Sequence, residues 1–222
     1  METLTIDALE FYPPAPSNGG ELSELTPPKV GEWVWQPKVD DWRGVVDAPS
    51  GVVWSQYGDL STIALQGKIK AALAILRAKW GGSTEPWQRF DVGLMENRHD
   101  LMRGSIIIFD VMDSCWPHHE RRAWLESKFP VLPLAHIMLA GVANVRDEVF
   151  LINEWREDTK SEKMFPVPLE PLALQRLLKR ENDLVGHKFY EGLVAKRADA
   201  LYPVATKAKQ KTAVWVKHRF DQ

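Results

Sequence analysis

Three short stretches hold residue types whose spacing could do chemistry on a polyphosphate. The first is Gln36-Pro37-Lys38-Val39-Asp40-Asp41-Trp42-Arg43-Gly44. Strand alternation sets Lys38 and Asp40 on one face, and Arg43 follows at the turn into the next strand. A lysine that attacks phosphorus must be neutral, and burial beside a second cation depresses an ammonium pKa. The second stretch is Glu191-Gly192-Leu193-Val194-Ala195-Lys196-Arg197. In a strand, Glu191, Leu193 and Ala195 point one way, and Gly192, Val194 and Lys196 the other. Charges on so apolar a strand are costly without partners. A nucleotide with a divalent metal supplies them, metal for the carboxylate and phosphate for the ammonium. The third is Trp215-Val216-Lys217-His218-Arg219-Phe220, in which Trp215, Lys217 and Arg219 share a face and two cations suit phosphate neutralisation. Each stretch also has a plainer reading: an exposed charge ladder, an edge strand with solvated ends, or a basic terminal edge strand. Their occurrence together, in this order, favours the chemical one.

These side chains need elements to position them. Trp33–Trp35, Val45-Val46 and Val52–Trp54 are β-prone runs, and residues 47–51 (DAPSG) suit a hairpin loop, so two or three antiparallel strands are expected. Leu65, Ile69, Ala72, Leu73, Leu76 and Trp80 recur at three- and four-residue spacing. They predict a helix over 61–80, capped by Ser61 or Thr62, ended by Gly81-Gly82 and weakened by Gly67. Arg89–Met95 reads as a strand and Ser105–Met112 as a strand buried on both faces. Pro117–Phe129 and Leu172–Lys179 read as helices, and Tyr190–Lys196 and Ala213–Phe220 as strands. Residues 131–165 show no decisive pattern. Helices and strands interleave without a βαβ repeat, which favours α+β. Five prolines between Pro13 and Pro28, with Gly19-Gly20, mark residues 1–30 as an irregular arm ahead of one domain over 31–222.

The three stretches together resemble the motifs of the covalent nucleotidyltransferases: ATP-dependent DNA ligases, RNA ligases and mRNA-capping guanylyltransferases. Lys38-Val39-Asp40-Asp41-Trp42-Arg43 is similar to motif I, K-x-D-G-x-R, and Ser55-Gln56-Tyr57-Gly58 to the S-R-x-G that follows it. Phe90–Met95 stands where motif III, D-G-E-L/V, belongs, and Ile108–Met112 is similar to motif IIIa. Glu191–Lys196 resembles motif IV and Trp215–Arg219 motif V, W-x-K-x-K. The resemblance implies an α+β, ATP-grasp-like nucleotidyltransferase domain of antiparallel sheets flanked by helices. It implies that Lys38 forms lysyl-AMP from ATP, oriented by Asp40, with Lys217 on the α-phosphate. Arg43, Gln56, Asp91, Lys196 and Arg219 would bind the nucleotide, Phe109 would stack on adenine, and Glu191 would help hold Mg2+. AMP would then pass to a nucleic-acid 5′-phosphate, nicked DNA being favoured over RNA and capping third. Asp41, Gln56 and Gly93 depart from the motif glycine, arginine and glutamate, so a weakened, nucleotide- or nucleic-acid-binding homologue is the alternative. The family's OB-fold domain has no room after Phe220, so a partner protein could supply its grip.

Composition narrows the class. The chain has 222 residues, 28 Lys+Arg against 30 Asp+Glu, and 45% hydrophobic residues. That suits a globular protein and excludes a globally basic nucleic-acid binder, though not a local groove. From Lys196 to Arg219 seven basic residues face one acid, Asp199, with Lys207, Lys209 and Lys211 expected on a loop. The lone Cys115 excludes an internal disulfide framework. Cys115, His118, His119 and Glu120 have metal-like spacing, but Pro117 points to a helix start instead. Trp33, Trp35 and Trp54 are expected in the core. No long apolar run or basic leader is present, which predicts a cytoplasmic protein that does not engage membranes.

Overall fold

The computed structural model describes residues 12–23, 32–80, 88–96, 101–112, 115–132, 145–156 and 170–220. Its elements are β1 (Ala15–Asn18), β2 (Trp33–Val39), β3 (Trp42–Asp47), β4 (Val52–Ser55), α1 (Thr62–Leu65), α2 (Lys70–Trp80), β5 (Arg89–Leu94), β6 (Ile106–Val111), α3 (His118–Lys128), β7 (Val149–Leu151), β8 (Trp155–Arg156), α4 (Pro171–Val185), β9 (Tyr190–Arg197) and β10 (Lys211–Arg219). They form two five-stranded sheets, ordered β1-β10-β9-β2-β8 and β4-β3-β5-β6-β7. The α+β class stands. The sheets are mainly antiparallel, and each also carries one parallel pair, β1 with β10 and β6 with β7.

The hairpin forms where it was expected. β3 and β4 pair from Gly44 with Ser55 to Asp47 with Val52. Asp47 closes the loop by accepting from the Ser50 N–H at 3.0 Å, and Gly51 takes the positive φ of 73°. β2 does not join that hairpin. It runs along β9 in the other sheet, so the two-residue turn Asp40-Asp41 carries the chain from sheet to sheet.

The helix expected over 61–80 is two helices. The Ser61 hydroxyl caps α1 by accepting from the Ala64 N–H. Gly67 then breaks the run with a φ of 71°, a left-handed conformation that a β-carbon disfavours. In α2, Ala72, Leu76 and Trp80 fall on one buried face. Trp80 stacks on Phe129 of the α3 terminus at 5.6 Å and meets Phe90 of β5 edge-on at 5.1 Å. Gly81-Gly82 lies outside the described residues. α4 runs longer than expected, with Pro171 in its first turn and Gly186 in the left-handed cap.

Three buried clusters follow. One packs the first sheet against α4, with Trp35, Val39, Leu193 and Ala195 against Leu174 and Leu178. The second packs β5 and β6 against α2 and α3. The third, with Val45, Trp54, Tyr202 and Trp215, lies where the two sheets approach one another.

The arm was expected to be irregular, yet Ala15–Asn18 docks as an edge strand beside β10. Prolines suit an edge because they lack a donor there. The Ala15 N–H donates to the Gln210 carbonyl at 2.8 Å, and the Ser17 hydroxyl to the Thr212 carbonyl at 2.7 Å. Residues 1–11 and 24–30 of that arm, and residue 31 after it, lie outside the described set. No helix among the described residues is long and apolar enough to cross a membrane.

Candidate active site

A cleft of about 280 Å³ opens between the two sheets. Lys38, Arg43, Gln56, Asp91, Phe109, Glu191, Lys196, Lys217 and Arg219 all line it. Apart from Gln56, in the turn after β4, these residues come from strands in both sheets, which the Asp40-Asp41 turn links directly.

Two β-bulges re-aim its side chains. Across β2 and β9, Lys38 faces Gly192 while Val39 faces Tyr190, which leaves Glu191 without an opposite residue. Across β5 and β6, Asp91 faces Asp110 while Val92 faces Ile108, which leaves Phe109 without one. A bulge breaks strict alternation and turns a side chain off its face. Glu191 therefore reaches the same cleft as Lys196, contrary to the alternation read from the sequence. The Lys38 ammonium meets the Glu191 carboxylate there, and Arg219 Nη2 stands 3.7 Å from the same oxygen. On β10 alternation holds, and Trp215, Lys217 and Arg219 all face the cleft.

Asp40 does not line this cleft. Its N–H donates to the Phe189 carbonyl at 2.9 Å, where the chain has already left β2. Its side chain borders a neighbouring cavity with Lys179, Lys188 and Tyr190, into which Glu191 and Arg219 also face. Asp41, which sequence reading passed over as a motif departure, is the turn carboxylate in the cleft. Burial raises its pKa from 3.8 to about 7; Lys38 and Arg43 oppose that rise, and Asp91 and Glu191 add to it.

Arg43 and Asp91 are bound to each other. Nε and Nη2 of Arg43 donate to the two Asp91 oxygens at 2.9 and 2.6 Å, and Nη1 donates to the Pro14 carbonyl at 2.8 Å. The Tyr202 hydroxyl donates to Asp91 at 3.0 Å. The pair is thus a brace that ties the arm, β3 and β5 together at the wall of the cleft.

Beneath the floor lies a buried ionic layer that sequence reading missed. Asp110 accepts from Arg121 Nε at 2.8 Å and Nη2 at 3.1 Å, and from Lys196 Nζ at 3.3 Å. His118 stands between Asp110, at 3.3 Å from Nδ1, and Glu154, at 2.7 Å from Nε2. Gln36 donates to Glu154 at 2.9 Å. Burial pushes the Asp110 carboxyl up, but Arg121, Lys196 and His118 overcome it and hold it well below 3.8. Burial likewise opposes charge on His118, yet Glu154 and Asp110 carry its pKa above 6.5. Glu154, raised by burial, is drawn down to about 2 chiefly by His118 and Arg122. Lys196 is pulled down by burial, with Asp110 opposing; its ammonium lies 4.5 Å from the Trp215 ring centre. Lys217 is pulled down by burial and by the nearby Arg219, Lys38 and Lys211 charges. His118 thus serves this layer, and no group of three His, Cys, Asp or Glu that could cage a metal occurs among the described residues. Glu191 supplies one carboxylate at the cleft mouth. That donor set fits a Mg2+ that keeps most of its ligands as phosphate oxygens and water.

The expected basic loop is only partly a loop: Lys207 and Lys209 lie in the turn before β10, and Lys211 opens the strand. Trp35 and Trp54 are core residues as expected, whereas Trp33 is only partly buried, packed against the first cluster; Trp42 is 48% exposed.

No protein-family model matches the sequence, and no curated protein aligns with it. Solved structures do. Pmar-Lig_Pre superposes with a TM-score of 0.56 at 13% identity, over 95% of this chain and 47% of that one. Mycobacterial DNA ligase D complexed with ATP and MES gives 0.52 at 16% identity, over 94% and 60%. The ligase domain of LigD from M. tuberculosis gives 0.50 at 17% identity, over 92% and 59%. The chain therefore has the α+β nucleotidyltransferase fold found in these ligase structures, and it spans about half to three-fifths of their length.

Proposed function

We propose that this chain is an ATP-dependent, polynucleotide-ligase-like adenylyltransferase that forms lysyl-AMP on Lys38. The observation that carries the proposal is the convergence of Lys38, Glu191, Lys217 and Arg219, from three strands, on one cleft that also holds Phe109. A half-buried phenylalanine there offers a face for the base, and the cations suit a triphosphate. That DNA ligase D was obtained with ATP supports the choice of nucleotide.

In the first step the Lys38 ammonium gives up a proton, for which Glu191 is the adjoining carboxylate. The neutral Nζ attacks the α-phosphorus, the N–P bond forms, and the bond to the bridging oxygen breaks. Pyrophosphate leaves with that electron pair. Lys217 and Arg219 would stabilise the charge that builds on the phosphates. Glu191 would hold Mg2+, whose charge neutralises the triphosphate when bound. Asp41, and not Asp40, is the turn carboxylate available to the nucleotide. Lys196 would position the site through Phe109 and Asp110, donating to the Phe109 carbonyl at 3.1 Å. In the second step an oxygen of a nucleic-acid 5′-phosphate attacks the lysyl-bound phosphorus and restores the free amine. A 3′-hydroxyl then displaces AMP and joins the strands. Nicked DNA is the favoured acceptor, RNA the second, and a partner could complete the grip on the strand. Gln56, in place of a fixed cation, favours the alternative of a nucleotide-binding homologue that no longer catalyses.

The test is incubation with Mg2+ and ATP labelled at the α-phosphate, then denaturation. Covalent label on the wild type and none on Lys38→Ala supports the proposal. Label retained in Lys38→Ala rejects the nucleophile, and ATP binding without label selects the non-catalytic homologue. Discharge of the label by nicked DNA or nicked RNA identifies the acceptor, and GTP in parallel tests capping.

A further inference from the structure

Among the carboxylates lining the cleft, Asp41 is the one left uncommitted. Asp91 is held by Arg43 and Tyr202, and Glu191 by Lys38 with Arg219 close by. No side-chain hydrogen bond to Asp41 occurs among the described residues, although it lies in the fields of Lys38 and Arg43. A carboxylate in such a place keeps lone pairs for a donor that arrives with a ligand.

Its position depends on Gly93. A β-carbon at Gly93 would stand 2.3 Å from Asp41 Oδ2 and 2.7 Å from Phe109 Cζ. Gly93 pairs with Arg43 and Ile107 inside β5, and its φ is not positive, so no turn requires a glycine there. What it supplies is space for the Asp41 carboxylate and the Phe109 ring side by side. The motif resemblance places a glutamate here on β5 and a glycine at position 41. The chain has the two reversed, so the acidic group reaches the same space from the β2–β3 turn.

The chemistry of that space narrows what Asp41 can bind. Phosphate oxygens are acceptors and carry like charge. A ribose presents neutral O–H donors, and hydroxyl-to-carboxylate bonds are among the stronger kinds. The Asp41 carboxylate also lies beside the Phe109 ring and shares the cleft with Lys38, whose charge it feels, as the sugar of a nucleotide lies between its base and its α-phosphate. We propose that Asp41 is the ribose-reading residue of this cleft, accepting from the sugar hydroxyls in a space that Gly93 leaves open. This rests on the adenylyltransferase reading above.

The experiment compares equilibrium binding of Mg-ATP and Mg-2′,3′-dideoxy-ATP to the full chain, beside covalent labelling by each. The wild type is expected to prefer ATP by about ten- to a hundredfold, the range for hydrogen bonds to a charged group. Asp41→Ala should reduce that preference to about threefold or less. The ratio is read on one sample, so a lowered folded fraction cancels. The double variant Asp41→Gly, Gly93→Glu returns a carboxylate from the facing strand and should restore the preference. A wild-type ratio that survives in Asp41→Ala overturns the assignment. So does a wild type that binds and is labelled by both nucleotides equally, which leaves the adenylyltransferase reading intact. A wild type that neither binds nor is labelled by ATP removes both. A double variant that binds ATP without preference contradicts the exchange of positions.

Discussion

Replacing Asp110 with asparagine keeps its shape and removes its charge, in a layer where nothing else can take its place. Asp110 is fully buried and accepts from Arg121 twice, from Lys196, and from His118. Without its charge, His118 keeps only Glu154 as its acid, and Lys196 keeps only the fields of Asp91 and Glu154. Removing one partner of a buried ion pair costs about 3–5 kcal/mol, against a total stability of about 5–15 kcal/mol. For a chain of this size that corresponds to a fall in melting temperature of about 6–20 °C. The sign with pH follows from the depressed carboxyl. Its stabilising effect is present above the unfolded value near 3.8 and is lost as pH falls through the lower folded value, so the gap between wild type and variant narrows in acid. Urea unfolding followed by far-UV circular dichroism at pH 7 and at about pH 2, below the unfolded value, measures both. Adding Lys196→Met to Asp110→Asn removes one orphaned cation and should recover about 1 kcal/mol or more. A single variant that loses less than about 1 kcal/mol at pH 7 would refute the reasoning, because a paired, fully buried carboxylate cannot be that dispensable.

Asp41→Asn should stabilise the nucleotide-free protein, and increasingly so at higher pH. With the folded pKa raised from 3.8 to about 7, stability is greatest below 3.8 and falls as pH rises through 7, so the variant should gain on wild type by about 2 kcal/mol between pH 5 and pH 8; equal differences in melting temperature at both pH values contradict this. Gly192→Ala places a β-carbon 2.0 Å from the His218 carbonyl oxygen, a backbone atom that cannot swing aside. A loss of about 1–3 kcal/mol or more is expected, together with loss of labelling as β10 moves away from Glu191, and unchanged labelling would show that the ladder gives way elsewhere. Trp80→Ala removes the ring that joins α2, β5 and the end of α3. It should cost about 3–5 kcal/mol in chemical unfolding while leaving the affinity of the folded fraction for ATP unchanged; a specific loss of affinity would mean that the second cluster positions the cleft.

Local pattern was enough for much of this architecture. β-branched and aromatic runs located β2 to β4, the apolar run 105–112 located β6, and period-two alternation brought Trp215, Lys217 and Arg219 to one face. Non-local register was not legible. Which residue is bulged depends on the partner strand, and β2 alone gives no sign that β9 skips Glu191 at Lys38. Alternation therefore assigned Asp40 to the cleft where the chain supplies Asp41, and it parted Glu191 from Lys196. A signal for Asp41 did exist, in the reversed acid and glycine at positions 41 and 93, but it acquires meaning only once β3 lies against β5. The ionic layer had no such signal: Gln36 and Glu154 stand 118 residues apart, and Glu154 falls in a stretch whose pattern was indecisive. The single helix expected over 61–80 failed at Gly67, where the cost of one glycine was set too low against its left-handed conformation.

Peptide mapping by mass spectrometry, after incubation of the full chain with ATP and Mg2+, tests most directly whether Lys38 is the adenylylated nucleophile. One adenylate on the peptide holding Lys38, removed by added pyrophosphate and absent from Lys38→Ala, is the predicted result. An unmodified Lys38 in protein that has bound ATP, or an adenylate on any other residue, would contradict it.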